Sequence, residues 1–209
     1  YLKGRYSLNE MTLGGSIKSL EYFQRAIEKD PGYAQAYGGL AEYYAYATYG
    51  VSSSSISPKE AHAKAKAAAL KAVDLDDTLA EAHTSLAWVL FIHDWDWEIA
   101  GQEFRRAIEL NPRYATARQW YSWYLAAMSR SEEALAEARR SLALDTASVS
   151  IRRSLGWLYY YTRQPEQGIP HLQQALVMNP DAVETHQILA LATMQAGDLA
   201  AAHAALEEA

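Results

Sequence analysis

Three tryptophans recur at nearly equal spacing and offer the clearest recognition chemistry in the sequence. Trp88, Trp123 and Trp157 follow one another at intervals of 35 and 34. An indole buries a large area with few rotatable bonds, so tryptophan is over-represented among the residues that dominate protein interfaces. Equal spacing places the rings at equivalent points of successive structural units. The pattern therefore predicts either a row of contacts for a partner or repeated packing between neighbouring helices.

Catalytic and metal-binding patterns are weak by comparison. Residues 93–97 (HDWDW) could supply His93, Asp94 and Asp96 as metal ligands, but this short cluster has no distant partner ligand, and its acids suit the start of a helix. The other histidines have no recognisable ligand spacing, and the chain has no cysteine. The sequence also lacks a glycine-rich phosphate loop and a nucleophile elbow. We therefore predict no enzymatic activity, no metal and no cofactor.

Charge is distributed unevenly along the 209 residues, whose net charge is −6. Residues 103–163 hold 10 arginines and 6 acidic residues, whereas residues 164–209 hold 6 acidic residues and no lysine or arginine. The arginine-rich segment predicts either solvated outer faces of helices or a surface that attracts an acidic peptide. Binding the phosphate backbone of a nucleic acid requires a net basic surface, and a membrane span requires a long apolar run. We therefore expect neither nucleic-acid nor membrane partners.

A fixed period organises the chain. Its markers are small residues that return at regular intervals: Ala26, Ala72, Ala107, Ser141, Ala175 and Ala209. After a first gap of 46, their spacings are 35, 34, 34 and 34. Apolar residues three or four apart in residues 16–30 predict an amphipathic helix that ends before Pro31. Ser57 and Asp198 predict capped helix starts. A repeat of this length indicates a stacked array of helix–turn–helix units.

The repeat resembles the tetratricopeptide repeat. The motif residues are Tyr37, Leu40, Ala41 and Tyr44 in one unit and Ala100, Phe104, Ala107 and Pro112 in the next. The resemblance covers essentially the whole chain and implies an all-α, right-handed superhelix of antiparallel helix pairs. It divides residues 1–209 into one array of about six repeats: 1–33 (partial), 34–79 with an insertion at 47–58, 80–114, 115–148, 149–182 and 183–209 (partial). Gly168 replaces the usual packing alanine, so we expect looser packing at that corner.

The resemblance also implies a binding surface. In tetratricopeptide superhelices the first helix of each repeat lines a concave groove, with its second, fifth, ninth and twelfth positions turned inward. Carried onto this chain, the family pattern predicts a peptide-binding groove with these residues: Trp88, Gln119, Trp123, Arg153, Trp157 and Tyr160. Arg153 could bind a carboxylate through two parallel hydrogen bonds. Arg118 and Arg152 could add positive electrostatic potential at the groove. An exposed ion pair is the alternative for these arginines.

The predicted function follows from that surface. The resemblance implies a protein–protein interaction scaffold that binds a partner peptide or protein, of acidic character, in the groove. The carboxylate clamp of chaperone-tail-binding members has no counterpart here, so a chaperone co-factor role is not expected. Residues 1–44 are similar in style to repeat domains of bacterial signalling and regulatory proteins, and both ends look cut. Self-association, or intramolecular regulation within a larger bacterial signalling protein, is therefore the alternative function. A cytoplasmic location is expected.

Overall fold

The structure is a computed structural model that describes residues 1–9, 13–47 and 56–209. Over these residues the fold is all-α, with twelve α-helices and no strand. The predicted all-α class is therefore confirmed. The chain divides into two compact units, Tyr1–Pro112 and Arg113–Ala209. Most of the predicted insertion, residues 48–55, lies outside the described residues, and the division into one array of about six repeats stays a prediction.

The first unit consists of sequential helix pairs. Its helices are α1 (Leu2–Asn9), α2 (Leu13–Lys29), α3 (Ala34–Ala47), α4 (Pro58–Leu75), α5 (Ala80–Val89) and α6 (Trp97–Leu110). A single π-helical turn, Leu90–Asp94, follows α5. Within each pair the helices pack against each other, and α3 also packs on α5. The first helices of successive pairs are thus neighbours in this unit.

The second unit repeats the same arrangement. Its helices are α7 (Ala115–Ala127), α8 (Ser131–Leu144), α9 (Val149–Tyr161), α10 (Pro165–Met178), α11 (Val183–Gln195) and α12 (Leu199–Glu207). Here α7 packs on α8, α9 on α10 and α11 on α12, while α9 also contacts both α7 and α11. Side chains on α7, α9 and α11 can therefore form one continuous surface within this unit.

Polar caps start several helices where the sequence predicts them. The Ser57 side chain accepts a hydrogen bond from the Glu60 amide at 3.2 Å, and Pro58 occupies the first turn of α4. The Asp198 carboxylate accepts from the Ala201 amide at 2.9 Å. Each side chain satisfies an amide that the first helical turn leaves without a partner. The predicted caps at Ser57 and Asp198 are confirmed.

The turns inside the last four helix pairs each contain a left-handed residue. Among the described residues, positive φ angles recur at equal intervals, at Trp95, Ser129, Arg163 and Gly197. In the fourth pair the Arg130 amide donates to the Leu125 carbonyl at 2.9 Å, and the same bond to the fifth residue back recurs in the next two pairs at 2.8 and 2.9 Å. This is the Schellman closure, in which a left-handed residue ends the helix.

The π-helical turn accounts for the one irregular spacing after residue 72. In the third pair the closing bond runs from the Asp96 amide to the Leu90 carbonyl, six residues back, at 3.1 Å. A π turn adds one residue without adding a full helical turn. Since the extra residue lies after Trp88, the interval to Trp123 is 35, whereas the interval from Trp123 to Trp157 is 34.

The turn at Ser129 gives a direct test of this backbone reading. Ser129 is exposed and has φ 60, a conformation that costs an L-residue about 1–2 kcal/mol. Ser129→Gly is expected to stabilise the chain by about 0.5–1 kcal/mol, because glycine removes that strain but gains freedom in the unfolded state. Urea unfolding measures the change. Gly197→Ser at φ 89 is the reverse control and should destabilise; equal effects of both substitutions would contradict the assignment.

Gly156 and Gly168 bring α9 and α10 close together, contrary to the looser corner expected from the sequence. A Cβ atom on Gly168 would lie 2.7 Å from the Gly156 carbonyl oxygen, and one on Gly156 would lie 2.5 Å from Leu172 Cγ. The expectation was wrong because it treated Gly168 as a missing side chain. With glycine on both helices, the backbones of α9 and α10 move together instead.

Candidate functional site

Three aromatic rings form a stack across the first helices of the second unit. Trp123 on α7 and Trp157 on α9 lie 4.2 Å apart between ring centroids, with an interplanar angle of 16°. Tyr161, one helical turn after Trp157, continues the stack at 5.1 Å and 13°. Both indoles are partly exposed, and Tyr161 is 49% exposed. We call Trp123, Trp157 and Tyr161 the aromatic face.

The aromatic face rests on a packed base. Trp157 and Tyr160 contact a buried cluster formed by Leu172, Ile188 and Ala192. Leu172 on α10 has no exposed surface. Because these side chains are immobile in a dense core, they hold the Trp157 ring in one orientation before any partner arrives. The family pattern predicts that Tyr160 faces the groove; in the structure it contributes to this base.

The stack is also interhelical packing, which the sequence left open as the alternative for the tryptophans. The contact between Trp123 and Trp157 joins α7 to α9 and contributes about 0.5–1.5 kcal/mol beyond the area it buries. Packing therefore accounts for one side of each ring. The partly exposed remainder is available for a second contact, as at interface tryptophans in general.

Arg153 already has a carboxylate partner within the chain. Its Nη1 atom donates to Glu184 Oε2 at 2.7 Å, which links α9 to α11. The Arg153 side chain is 19% exposed, whereas that of Glu184 is 59% exposed. An ion pair with one partner in solvent is worth about 0–1 kcal/mol. Arg153 precedes Trp157 by four residues, so the two side chains lie on the same side of α9.

Gln119 has a structural role in this arrangement. Its side chain is buried, and Nε2 donates to Ser154 Oγ at 2.7 Å and to Ser150 Oγ at 3.0 Å. These bonds tie α7 to α9 beneath the stacked indoles. Gln119 and Arg153 occupy equivalent positions in consecutive repeats, and both reach the following first helix.

Trp88 lies in the first unit and is more deeply buried than the other two tryptophans. It is 9% exposed, and its ring meets Phe91 edge-on at 5.9 Å and 66°. The structure thus brings Trp123, Arg153, Trp157 and Tyr160 together in the second unit and describes Trp88 as part of the first. Whether the six predicted residues line a peptide groove stays a prediction.

The two outward arginines bond away from the aromatic face. Arg118 Nη1 donates to Glu137 Oε2 at 2.6 Å on α8. Arg152 donates to Gln174 Oε1 at 2.5 Å and to the Thr146 carbonyl at 2.8 Å. Both guanidinium groups are thus held by other groups of the second unit, and whether they add positive potential to a groove stays a prediction.

Sequence reasoning missed Tyr161 and Glu184. Tyr161 follows Trp157 by four residues, which on a helix places the two rings on the same side. That signal was available, but the family pattern selected Tyr160 instead. Glu184 follows Ser150 by one full repeat, so it takes the same position relative to Arg153 that Ser150 takes relative to Gln119. Only the structure showed that this position contacts the preceding repeat.

The short acidic segment after α5 has structural partners. Asp94 accepts a hydrogen bond from Lys66 Nζ at 2.5 Å and lies 3.2 Å from His62 Nε2. The Asp96 side chain caps α6 by accepting from the Ile99 amide at 3.3 Å. In the described part of the chain, no group of three or more metal-binding side chains is close enough to hold an ion.

None of the helices described here combines the length and apolar character needed to cross a membrane. The longest, α4, has 18 residues and includes four lysines and two acidic residues. Its apolar contacts come largely from buried alanines.

Comparison with known proteins places this arrangement in context. Residues 153–209 match the tetratricopeptide repeat family. The transcriptional regulator HilA of Salmonella typhimurium is 28% identical over 162 residues, which are 77% of this chain and 28% of HilA. The chain thus spans little more than a quarter of the length of that relative.

Solved structures show the same fold. A tetratricopeptide repeat protein of Thermus thermophilus has a TM-score of 0.68 at 20% identity, over 91% of this chain and 96% of that one. YrrB, described as a tetratricopeptide repeat protein with an unusual peptide-binding site, has a TM-score of 0.55 at 16% identity, over 90% and 91% of the two chains. Residues 153–209 are thus similar to tetratricopeptide repeats, and the helix pairs of this chain share the fold of these solved tetratricopeptide repeat proteins.

Proposed function

We propose that the chain binds an extended or helical segment of a partner protein along the first helices of its repeats. The main contact is the aromatic face of the second unit. The observation that carries this proposal is the continuous stack of Trp123, Trp157 and Tyr161, which is fixed from behind and partly open to solvent in front. Trp88 belongs to the first unit, is only 9% exposed and is not part of the aromatic face.

Rigid, partly exposed aromatic rings favour binding for two reasons. A partner residue placed on the stack removes apolar surface from water, which contributes about 25 cal/mol per Å². The Trp157 ring loses little freedom on binding, because it already packs against the buried cluster behind it. Tyrosine and tryptophan are accordingly the side chains most often found at the energetic centre of an interface.

Arg153 gives the site its preference for acidic partners. A carboxylate on the bound segment would replace Glu184, whose side chain is 59% exposed, at the guanidinium 2.7 Å away. The exchange conserves the charge-assisted hydrogen bond while the partner's carboxylate gains a less hydrated position beside the indoles. The site thus recognises an apolar or aromatic residue next to an acidic one.

Affinity capture from source-cell lysate tests the proposal. The Trp123→Ala/Trp157→Ala variant is compared with the wild type and with Trp97→Ala, a control that removes a 48%-exposed indole from the first unit. We expect the double variant to bind the captured partner at least about tenfold more weakly, which corresponds to about 1.4 kcal/mol. Trp97→Ala should capture as much partner as the wild type, and circular dichroism verifies that each variant is folded.

Two outcomes would contradict the proposal. Equal capture by the folded double variant and the wild type would move binding away from the aromatic face. Loss of capture with Trp97→Ala but not with the double variant would place the contact in the first unit.

The likeness to HilA favours a second candidate function. This chain matches only 28% of that regulator's length, so such a segment can act on the rest of a longer protein. The repeats would then self-associate or bind another part of their own protein and so control its activity. Light scattering over a hundredfold range of concentration separates these possibilities, since a constant monomer mass would exclude self-association.

A further inference from the structure

A second group of functional side chains lies on α8, α9 and α10, around the ring of Tyr159. Arg139 Nε donates to the Tyr159 hydroxyl oxygen at 3.0 Å, and its guanidinium carbon lies 5.5 Å from the ring centroid. The His171 imidazole is stacked parallel to the same ring, with centroids 5.9 Å apart and an interplanar angle of 4°. One buried tyrosine therefore positions an arginine and a histidine from two different helices.

Arg152 adds a third basic group that reaches α10 near His171. Its Nη1 atom donates to Gln174 Oε1 on α10 at 2.5 Å, and its Nη2 atom donates to the Thr146 carbonyl at 2.8 Å. Gln174 follows His171 by three residues, so the two side chains occupy the same side of α10. Arg152 Nε and His171 Nδ1 are buried and have no hydrogen-bond partner among the described residues. Buried polar atoms without partners are uncommon in folded proteins and often belong to functional sites.

No carboxylate in the described part of the chain forms an ion pair with the arginines of this cluster. Among the described residues, Arg139 and Arg152 have no carboxylate partner, whereas Arg118 and Arg140 both bond to Glu137. Helix α9 contains no acidic residue, and the one acid of α10, Glu166, is in its first turn. Burial, followed by the charges of Arg152 and Arg139, holds the pKa of His171 below its usual value.

We propose that Arg139, Arg152 and His171 form a binding site for a phosphate-type oxyanion. Two guanidinium groups and an imidazole, contributed by three helices, suit the three terminal oxygens of a phosphate better than the two of a carboxylate. Arginine is the side chain best matched to phosphate geometry. The site is separate from the aromatic face and does not depend on the proposed function.

The protonation of His171 provides the measurement. A bound phosphate favours the charged imidazole, so binding must raise the pKa of His171. In the full chain, imidazole NMR signals are followed against pH in inorganic phosphate, in acetate and in chloride at equal ionic strength. We expect phosphate to raise the pKa of His171 by about 0.5–1 unit relative to chloride. The exposed His203 on α12 is the internal control and should not show this difference.

Arginine variants make the test specific. Arg139→Gln and Arg152→Gln should each remove most of the phosphate-dependent rise. Arg139 is exposed, so that variant keeps the test available if Arg152→Gln does not fold. The proposal is overturned by an unchanged pKa of His171 in phosphate, or by a rise that persists in both variants. An equal rise in acetate would overturn the assignment to phosphate.

Discussion

Leu172→Ala is expected to destabilise the second unit by about 3 kcal/mol. Leu172 has no exposed surface and packs with Ile188 and Ala192 beneath Trp157. Removing its branched end leaves a cavity that the surrounding helices can fill only in part. The same side chain lies against Gly156, where an added Cβ atom would be 2.5 Å from Leu172 Cγ. The two positions should therefore be coupled strongly.

The coupling predicts that the cost of Gly156→Ala depends on the side chain at position 172. In the wild type, Gly156→Ala is expected to cost about 1–2 kcal/mol, because overpacking against Leu172 exceeds the gain of about 1 kcal/mol in helix propensity. In the Leu172→Ala background only the Gly168 carbonyl oxygen, 3.2 Å from the added Cβ atom, must adjust, so the cost of Gly156→Ala should fall by at least about 1 kcal/mol. Urea unfolding of the four proteins of the cycle measures the difference. Equal costs of Gly156→Ala in both backgrounds would contradict the close approach of α9 and α10.

Glu42→Leu is expected to destabilise the first unit by about 3 kcal/mol. Glu42 on α3 is 3% exposed and accepts a hydrogen bond from Arg5 Nη1 on α1. Removing one member of a buried ion pair costs about 3–5 kcal/mol, and the lower end applies because the Arg5 side chain is 17% exposed. The loss should appear as a lower urea midpoint with an unchanged slope.

Removing both charges should restore much of that stability. Arg5→Met/Glu42→Leu replaces the pair with apolar side chains of similar size, and such replacements are often neutral. The double variant is expected within about 1 kcal/mol of the wild type. Glu42→Gln keeps a hydrogen-bond acceptor for Arg5, so its stability should lie between that of Glu42→Leu and that of the double variant. Additive losses from Arg5→Met and Glu42→Leu would show that the contact contributes little.

The helices could be predicted from the sequence because their signals are local. Apolar residues recur every three or four positions, and caps such as Ser57 and Asp198 act on amides only three residues away. The π turn was not predicted, since its one extra residue changes the spacing without a distinctive residue type. The left-handed turns at Ser129 and Arg163 were also missed, because glycine, the usual marker, occurs only at the equivalent Gly197.

The candidate site was only partly predictable. Equal spacing identified Trp123 and Trp157, and their stacking follows from equivalent positions on neighbouring helices. Spacing alone gives no information about side-chain partners. It therefore did not reveal that Glu184 forms an ion pair with Arg153, or that the side-chain amide of Gln119 donates a hydrogen bond to a serine hydroxyl. The close contact of α9 and α10 at Gly156 and Gly168 likewise depends on which helices pack together. The sequence of one helix alone does not indicate this.

Site-specific photo-cross-linking tests the central claim most directly. A benzophenone amino acid is placed at Leu191, the α11 position one repeat after Trp157, which is 39% exposed, or at Val177 on α10, which is 83% exposed. Partner binding along α7, α9 and α11 predicts that the captured partner cross-links to position 191 and not to position 177. Cross-links from position 177 alone would contradict it.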